Sequence, residues 1–109
     1  MASEYSFQFT DKASADLDEA IYYITFTLGN FSAAKNFYDK VEETIKELCL
    51  FPKRGPVVLN EYLGINGIRK KAVGNYLIYY LPDEETKMLT ILRIVYGKRD
   101  SETVLREID

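Results

Sequence analysis

Gly67-Ile68-Arg69-Lys70-Lys71-Ala72-Val73-Gly74-Asn75-Tyr76-Leu77-Ile78-Tyr79-Tyr80 and, a short turn later, Met88-Leu89-Thr90-Ile91-Leu92-Arg93-Ile94-Val95-Tyr96-Gly97-Lys98-Arg99-Asp100 together decide the fold. β-branched and aromatic residues dominate both runs, and the acidic Pro82-Asp83-Glu84-Glu85-Thr86 between them has turn chemistry, so the pair reads as a β-hairpin. Strands are expected near residues 68–73, 76–82 and 88–96. Tyr76–Tyr80 and Leu89–Val95 are apolar on both sides, which is the pattern of central strands covered on both faces. Helices can cover one face; the C-terminal segment or a partner is expected to shield the other.

Working back toward the N-terminus, Tyr5, Phe7 and Phe9 alternate with polar residues, the period of a half-buried strand. Asp11 sits where a helix N-cap is wanted, and Ala13, Leu17, Ile21, Ile24 and Leu28 follow at three- and four-residue spacing. Gly29-Asn30 tolerates left-handed backbone and stops that helix. Ser32 is placed to cap a second helix with the stripe Ala34, Phe37, Val41, Ile45 and Leu48, which Phe51-Pro52 ends. Two helices joined this closely pack as an antiparallel hairpin. A longer connection, 53–67, carries Gly55-Pro56, a short extended piece at Val57-Val58-Leu59 and a turn at Asn66-Gly67. The predicted class is α+β: an N-terminal strand, then an antiparallel helical hairpin packed on a mostly antiparallel four-stranded sheet, in the order β-α-α-β-β-β.

At 109 residues the chain is one domain, 1–109, with 47% hydrophobic and 28% charged residues. No apolar run approaches the roughly 20 residues of a membrane span, and Met1-Ala2-Ser3-Glu4 has neither the basic start nor the apolar core of a signal peptide; a cytoplasmic protein without membrane partners is expected. The single cysteine, Cys49, excludes an internal disulfide and reads as a buried small hydrophobe. The absence of histidine excludes a Ser-His-Asp triad, a Cys-His pair and any His-ligated zinc site, so no metal and no cofactor are expected. The net charge of −3 hides an asymmetry: residues 1–50 carry 4 basic and 9 acidic side chains, residues 51–99 carry 9 and 4, and the last ten carry 1 and 4. The helical half is acidic and the sheet half basic, which leaves open two solvated faces or a basic face for an anionic partner. A pI near 5.0 argues against nonspecific nucleic-acid binding.

Two constellations stand out. Arg69, Lys71, Arg93, Lys98 and Arg99 decorate the strands and the end of the last one, and alternation places Arg93 on the face of Leu89, Ile91 and Val95. The guanidinium fork suits phosphate or carboxylate; alternatively Arg93 and Arg99 pair internally with Asp16, Asp100 or Glu102. The second constellation is aromatic. On an ideal helix of about 100° per residue, Phe26 points almost opposite to the core stripe and Tyr22 well away from it. Such residues are either a hot spot for a protein partner or are covered by loop 53–67. Tyr79, Tyr80 and Tyr96 read as core, Tyr96 being of interest for its place beside Gly97 and the basic pair.

The pieces Gly67-Ile68-Arg69, Val73-Gly74-Asn75-Tyr76-Leu77-Ile78-Tyr79-Tyr80 and Ile91-Leu92-Arg93-Ile94-Val95-Tyr96-Gly97-Lys98-Arg99-Asp100, after a helix such as Ala13–Ile21 and a helix ending in Leu50-Phe51-Pro52, resemble the ParE/RelE superfamily of type II toxin–antitoxin toxins, the ParE branch in particular. The resemblance spans nearly the whole chain. It implies a toxin domain, a cognate antitoxin that wraps a disordered segment over it, and a role in plasmid stabilisation. It also implies a target, either DNA gyrase (ParE-like) or mRNA on the ribosome (RelE-like endoribonuclease). A third alternative is an inactive homologue that only binds antitoxin. RelE-type nucleases carry an arginine directly after the tyrosine matching Tyr76, where this chain has Leu77, and a tyrosine six residues after the arginine matching Arg99, where it has Leu105. A histidine found near Tyr96 in another nuclease subgroup, and at Tyr96 in many ParE-type members, is also missing. Loss of such polar groups typically costs orders of magnitude in rate, which favours gyrase inhibition by protein contact. Target binding is expected from Arg69, Lys71, Arg93, Lys98 and Arg99. Arg69, Arg93, Tyr96 and Arg99 are the catalytic candidates if the chain cleaves RNA. Tyr22, Phe26 and Phe31 are the antitoxin-binding candidates.

Overall fold

Thr10 is the hinge of the architecture. The structure, a computed structural model, describes residues 4–58 and 67–97. Strand β1 (Ser6–Phe9) ends at Thr10, which starts helix α1 (Asp11–Tyr22). The Thr10 backbone N–H donates to Ile91 O (3.0 Å), continuing the strand register. Its hydroxyl donates to Leu92 O (3.0 Å) and accepts from Ala13 N (3.0 Å). Thr10, not Asp11, is therefore the N-cap; Asp11 lies in the first turn, where a carboxylate favours the positive end of the helix dipole.

The helix does not continue as α to Leu28. Tyr23–Thr27 is a π-helical turn in which Leu28 N donates to Tyr23 O (3.0 Å). The wide turn shifts the phase of the apolar stripe. Thr25 is buried, and Leu28, expected in the core, is 59% exposed. Gly29 reverses the chain at φ +64, as expected, and the Asn30 side chain accepts from Ala33 N (2.9 Å), so Asn30, not Ser32, caps helix α2 (Phe31–Leu50). Helix α2 buries Ala34, Phe37, Val41, Ile45 and Leu48, the expected stripe, together with Cys49. Burial, with Glu4 adding to it, raises the pKa of the Cys49 thiol and keeps it protonated.

Strands β2 (Arg69–Val73), β3 (Tyr76–Asp83) and β4 (Met88–Tyr96) complete a four-stranded sheet in the order β1-β4-β3-β2. β1 runs parallel to β4, and the other pairs are antiparallel. Gly74 (φ +57) makes the tight β2–β3 turn, and Asp83 Oδ1 accepts from Glu85 N (2.9 Å) and Thr86 N (3.3 Å) in the β3–β4 turn. One face of the sheet carries Val73, Ile78, Tyr80, Leu89, Ile91 and Ile94 into the helical core. The other face carries a second buried cluster, Ile68, Tyr79, Leu92 and Val95. Both faces are thus apolar, as the continuous runs imply.

A bulge separates the two halves of β4. Tyr79 pairs with Arg93 and Tyr80 with Ile91, so Leu92 is extra. Alternation from Leu89 to Val95 breaks there: Leu89 and Ile91 join the helix-side cluster, Leu92 and Val95 the opposite one. The expected extended piece is realised at Val57, which bridges Arg69, and at Val58, whose N–H donates to Ile68 O (2.7 Å); Leu59 and Asn66 lie outside the described residues.

Gly55 anchors this loop. Its N–H donates to the hydroxyl of fully buried Tyr80 (3.0 Å), and a Cβ there would fall on Lys70 O and within 2.7 Å of that hydroxyl. Gly55→Ala is expected to destabilise the protein by about 1–3 kcal/mol, measured by urea unfolding. Burial alone raises the pKa of the Tyr79 phenol. The folded state then holds its proton longer than the unfolded chain, so the associated stability is complete below the ordinary phenol pKa and is lost as pH rises through the raised one. Unfolding at alkaline pH should accordingly be less pH-dependent in Tyr79→Phe.

Candidate functional site

Arg93 sits at the bulge, where β4 outruns β1. β1 pairs with Met88–Ile91 only, so the edge of β4 beyond Ile91 meets helix α1. Asp16 on α1 answers it in two ways. Its Oδ2 accepts from Arg93 Nε (2.7 Å) and from Ile94 N (3.0 Å), and its Oδ1 accepts from Arg93 Nη2 (3.0 Å). Both side chains are buried, 6% and 10% exposed. The expectation that Arg93 offers its fork to a foreign surface is corrected: the fork is closed on Asp16, the internal alternative. The physical reason is the bulge, which breaks the alternation and puts Arg93 opposite Tyr79 beside α1.

Arg69 is half-buried and also turned inward. Its Nη1 donates to Gly55 O (2.6 Å) and Lys53 O (3.1 Å), fixing the loop that covers the β2 edge. Lys71 is half-buried on β2, opposite Ile78. Lys98 and Arg99 lie outside the described residues. The sheet register separates the remaining catalytic candidates. Arg69 pairs with Tyr80, whereas Tyr96 pairs with Tyr76, four residues away along β3 or about 13 Å at the rise of a strand. Among the described residues, Arg69, Arg93 and Tyr96 do not converge on one reacting atom. No group of three His, Cys, Asp or Glu side chains that could hold a metal is found among them.

The aromatic candidates do converge. Tyr22, Phe26 and Phe31 are 64%, 65% and 73% exposed. The Tyr22 and Phe26 ring centroids are 4.8 Å apart, and those of Phe26 and Phe31 are 6.3 Å apart in an edge-on arrangement. The π-helical turn and the Gly29 reversal bring the start of α2 under the end of α1, which is why residues nine apart in sequence form one platform. The described part of loop 53–67 pairs with β2 and does not cover them.

Beside the platform is a cleft that sequence reasoning missed. Tyr96, 45% exposed, packs edge-on to Tyr76 (5.7 Å, 74°), and Tyr76 in turn lies against Phe37 (4.8 Å). Tyr76 and Tyr96, with Tyr23 and Glu19, line the space between α1 and the end of the hairpin. Burial, then the neighbouring phenols of Tyr23 and Tyr96, raise the pKa of Tyr76. In the sequence, Tyr96 and the Tyr22-Tyr23 dipeptide were signals for it, but no spacing joins them.

The model of the family described as the ParE toxin of the type II toxin–antitoxin system parDE matches residues 7–101. The chain belongs to the ParE toxin family. Its fold is similar to that of a chain in the chromosomal ParDE toxin–antitoxin system of P. aeruginosa (26% identity, 87% of this chain and 98% of that one, TM-score 0.66). It is also similar to a chain in the RelBE2 toxin–antitoxin complex of Mycobacterium tuberculosis (24% identity, 86% and 99%, TM-score 0.61). A third similar chain is in the archaeal RelE–RelB complex of Pyrococcus horikoshii (16% identity, 90% and 100%, TM-score 0.58). A search of curated proteins gives no match.

Breaking a buried pair leaves an uncompensated charge. Asp16→Ala should therefore destabilise this ParE-family chain by about 3–5 kcal/mol, while the apolar double variant Asp16→Leu/Arg93→Met recovers part of that loss; urea unfolding of the parent and these two variants measures both.

Proposed function

We propose that the protein is a cytoplasmic toxin that inhibits DNA gyrase by protein–protein contact and is neutralised by a cognate antitoxin. The observation that carries this reading is the division of labour in the side chains. The guanidinium groups of Arg93 and Arg69 are bound within the chain, while Tyr22, Phe26 and Phe31 face outward as one platform. Large exposed aromatics at the tip of a helical hairpin are anchors for a protein partner, not catalytic groups. The antitoxin binds this platform. Lys71, Lys98 and Arg99 meet the target, while Arg69 holds the loop beside β2 and Arg93 acts from inside, by holding α1 on the sheet.

The gyrase target is supported by the departures from the nuclease pattern. Leu77 lies against the apolar face of the sheet and supplies no polar group, and the chain has no histidine. Expression without antitoxin is expected to arrest growth, and the purified protein to inhibit gyrase supercoiling of plasmid DNA. Codon-positioned mRNA cleavage with unaffected supercoiling would overturn the assignment in favour of the nuclease, and soluble expression without arrest would favour an inactive homologue. Tyr22→Ala with Phe26→Ala should weaken antitoxin binding by more than about 2 kcal/mol in calorimetry while leaving thermal stability near that of the parent protein.

A further inference from the structure

We propose that the tyrosine-lined cleft between α1 and the end of the β3–β4 hairpin is a receptor for an arginine side chain presented by the antitoxin, an inference that rests on the antitoxin reading above. The cleft, of about 420 Å³, is lined by Asp16, Glu19, Tyr22, Tyr23, Tyr76 and Tyr96. Among the described residues, no Lys or Arg lines it. Tyr23, Tyr76 and Tyr96 also border an adjoining cavity of about 610 Å³, whose far wall is apolar, with Leu28 and Phe37. One end of the combined space is therefore aromatic and acidic, and the other is greasy.

That gradient fits one common side chain. Arginine has an aliphatic stem for the apolar wall and a planar, weakly hydrated cation for the ring faces. Tyr76 and Tyr96 meet at 74° and form a corner of two π-systems, against which a guanidinium can lie. The carboxylate of Asp16 is already balanced by Arg93, whereas Glu19 makes no ion pair among the described residues and stands at the rim, free to receive the in-plane N–H groups. The raised pKa of Tyr76 has burial as its main cause and the two neighbouring phenols as its second, surroundings that oppose a further negative charge.

The location ties the cleft to a protein partner. Tyr22 belongs to both features: it lines the cleft and stacks on Phe26 of the exposed platform. A chain segment crossing Tyr22, Phe26 and Phe31 passes the mouth of the cleft. The acidic bias of residues 1–50 favours a basic segment.

The test uses the whole purified chain and a probe that needs no antitoxin. N-acetyl-arginine amide is titrated into protein labelled at the tyrosine rings and followed by NMR, with the neutral isostere N-acetyl-citrulline amide and N-acetyl-lysine amide as comparisons. Saturable shifts at Tyr23, Tyr76 and Tyr96, absent at Tyr5 and Tyr38, are expected for arginine alone. Glu19→Gln should weaken the probe by about threefold and Tyr96→Leu by about fivefold, while Tyr96→Phe, which keeps the ring face, changes it little. Equal shifts with citrulline, or shifts spread over all tyrosines, overturn the cation site; equal binding of lysine overturns the guanidinium assignment. If the arginine probe binds as expected but the antitoxin ignores Tyr22→Ala/Phe26→Ala, the antitoxin reading fails and the cleft stands as a guanidinium site. If the antitoxin needs the platform but the probe does not bind, the cleft proposal alone is lost.

Discussion

The carboxylate of Asp16 holds the helical layer to the sheet. β4 is longer than β1, and a strand that outruns its neighbour exposes backbone donors and acceptors that must find partners. Here helix α1 supplies them. The Thr10 hydroxyl takes the carbonyl of Leu92, and Asp16 takes the N–H of Ile94. Arg93 completes the arrangement by neutralising the carboxylate in a site too buried for an unpaired charge. The bulge at Leu92 is part of the same device, since without the extra residue the side chain of Arg93 would follow the alternation of Leu89 and Ile91. Because α1 is fixed at Thr10 and again at Asp16, its far end is aimed. The π-helical turn then continues it to the place where Tyr22 and Phe26 meet Phe31.

Much of the fold was legible because most of the chain obeys one period at a time. The α2 stripe from Ala34 to Leu48, the two-sided apolarity of β3 and β4, and the glycine at 29 each lead to what is observed. Departures occur where two rules compete for the same residue. Thr10 and Asp11 are both good caps, and tertiary context decided: only Thr10 can cap the helix while keeping the strand register. Leu28 matches a helical stripe but loses its place when the helix widens to a π turn, an event with no sequence signature as regular as a period.

The site was legible in a more uneven way. Exposure of Tyr22 and Phe26 followed from helical geometry. Their closeness to Phe31 did not, because it depends on how the helix ends. Arg93 was left between two readings, one of them the Asp16 pair that is observed. A charge on an apolar strand is equally well explained by an external anion or an internal carboxylate, and alternation, the rule that assigns it a face, fails at a bulge. Asp16, 77 residues earlier, is on a different element, and no spacing rule joins them. The tyrosine cleft needed the cross-strand pair Tyr76–Tyr96 and the packing of α1 together.

These placements separate the groups that hold the fold from those that face outward. The Asp16–Arg93 pair and the Gly55–Tyr80–Arg69 lock use polar groups to join elements, and neither requires a substrate. Among the described residues, what remains exposed lies at the helical tip and in the cleft. Each of these is a surface feature whose chemistry can change without disturbing the core, so fold and target can vary separately. Leucine at position 77 illustrates the point. On the sheet face it packs with Tyr79 and Val95 and adds apolar contact, whereas a charged side chain there would add chemistry at the expense of that packing. An aromatic tip, by contrast, exposes apolar area that a lone soluble protein has no use for. Tyr22, Phe26 and Phe31 gather such area into one exposed patch of the described chain, the kind of surface on which a protein partner gains most by covering aromatic rings.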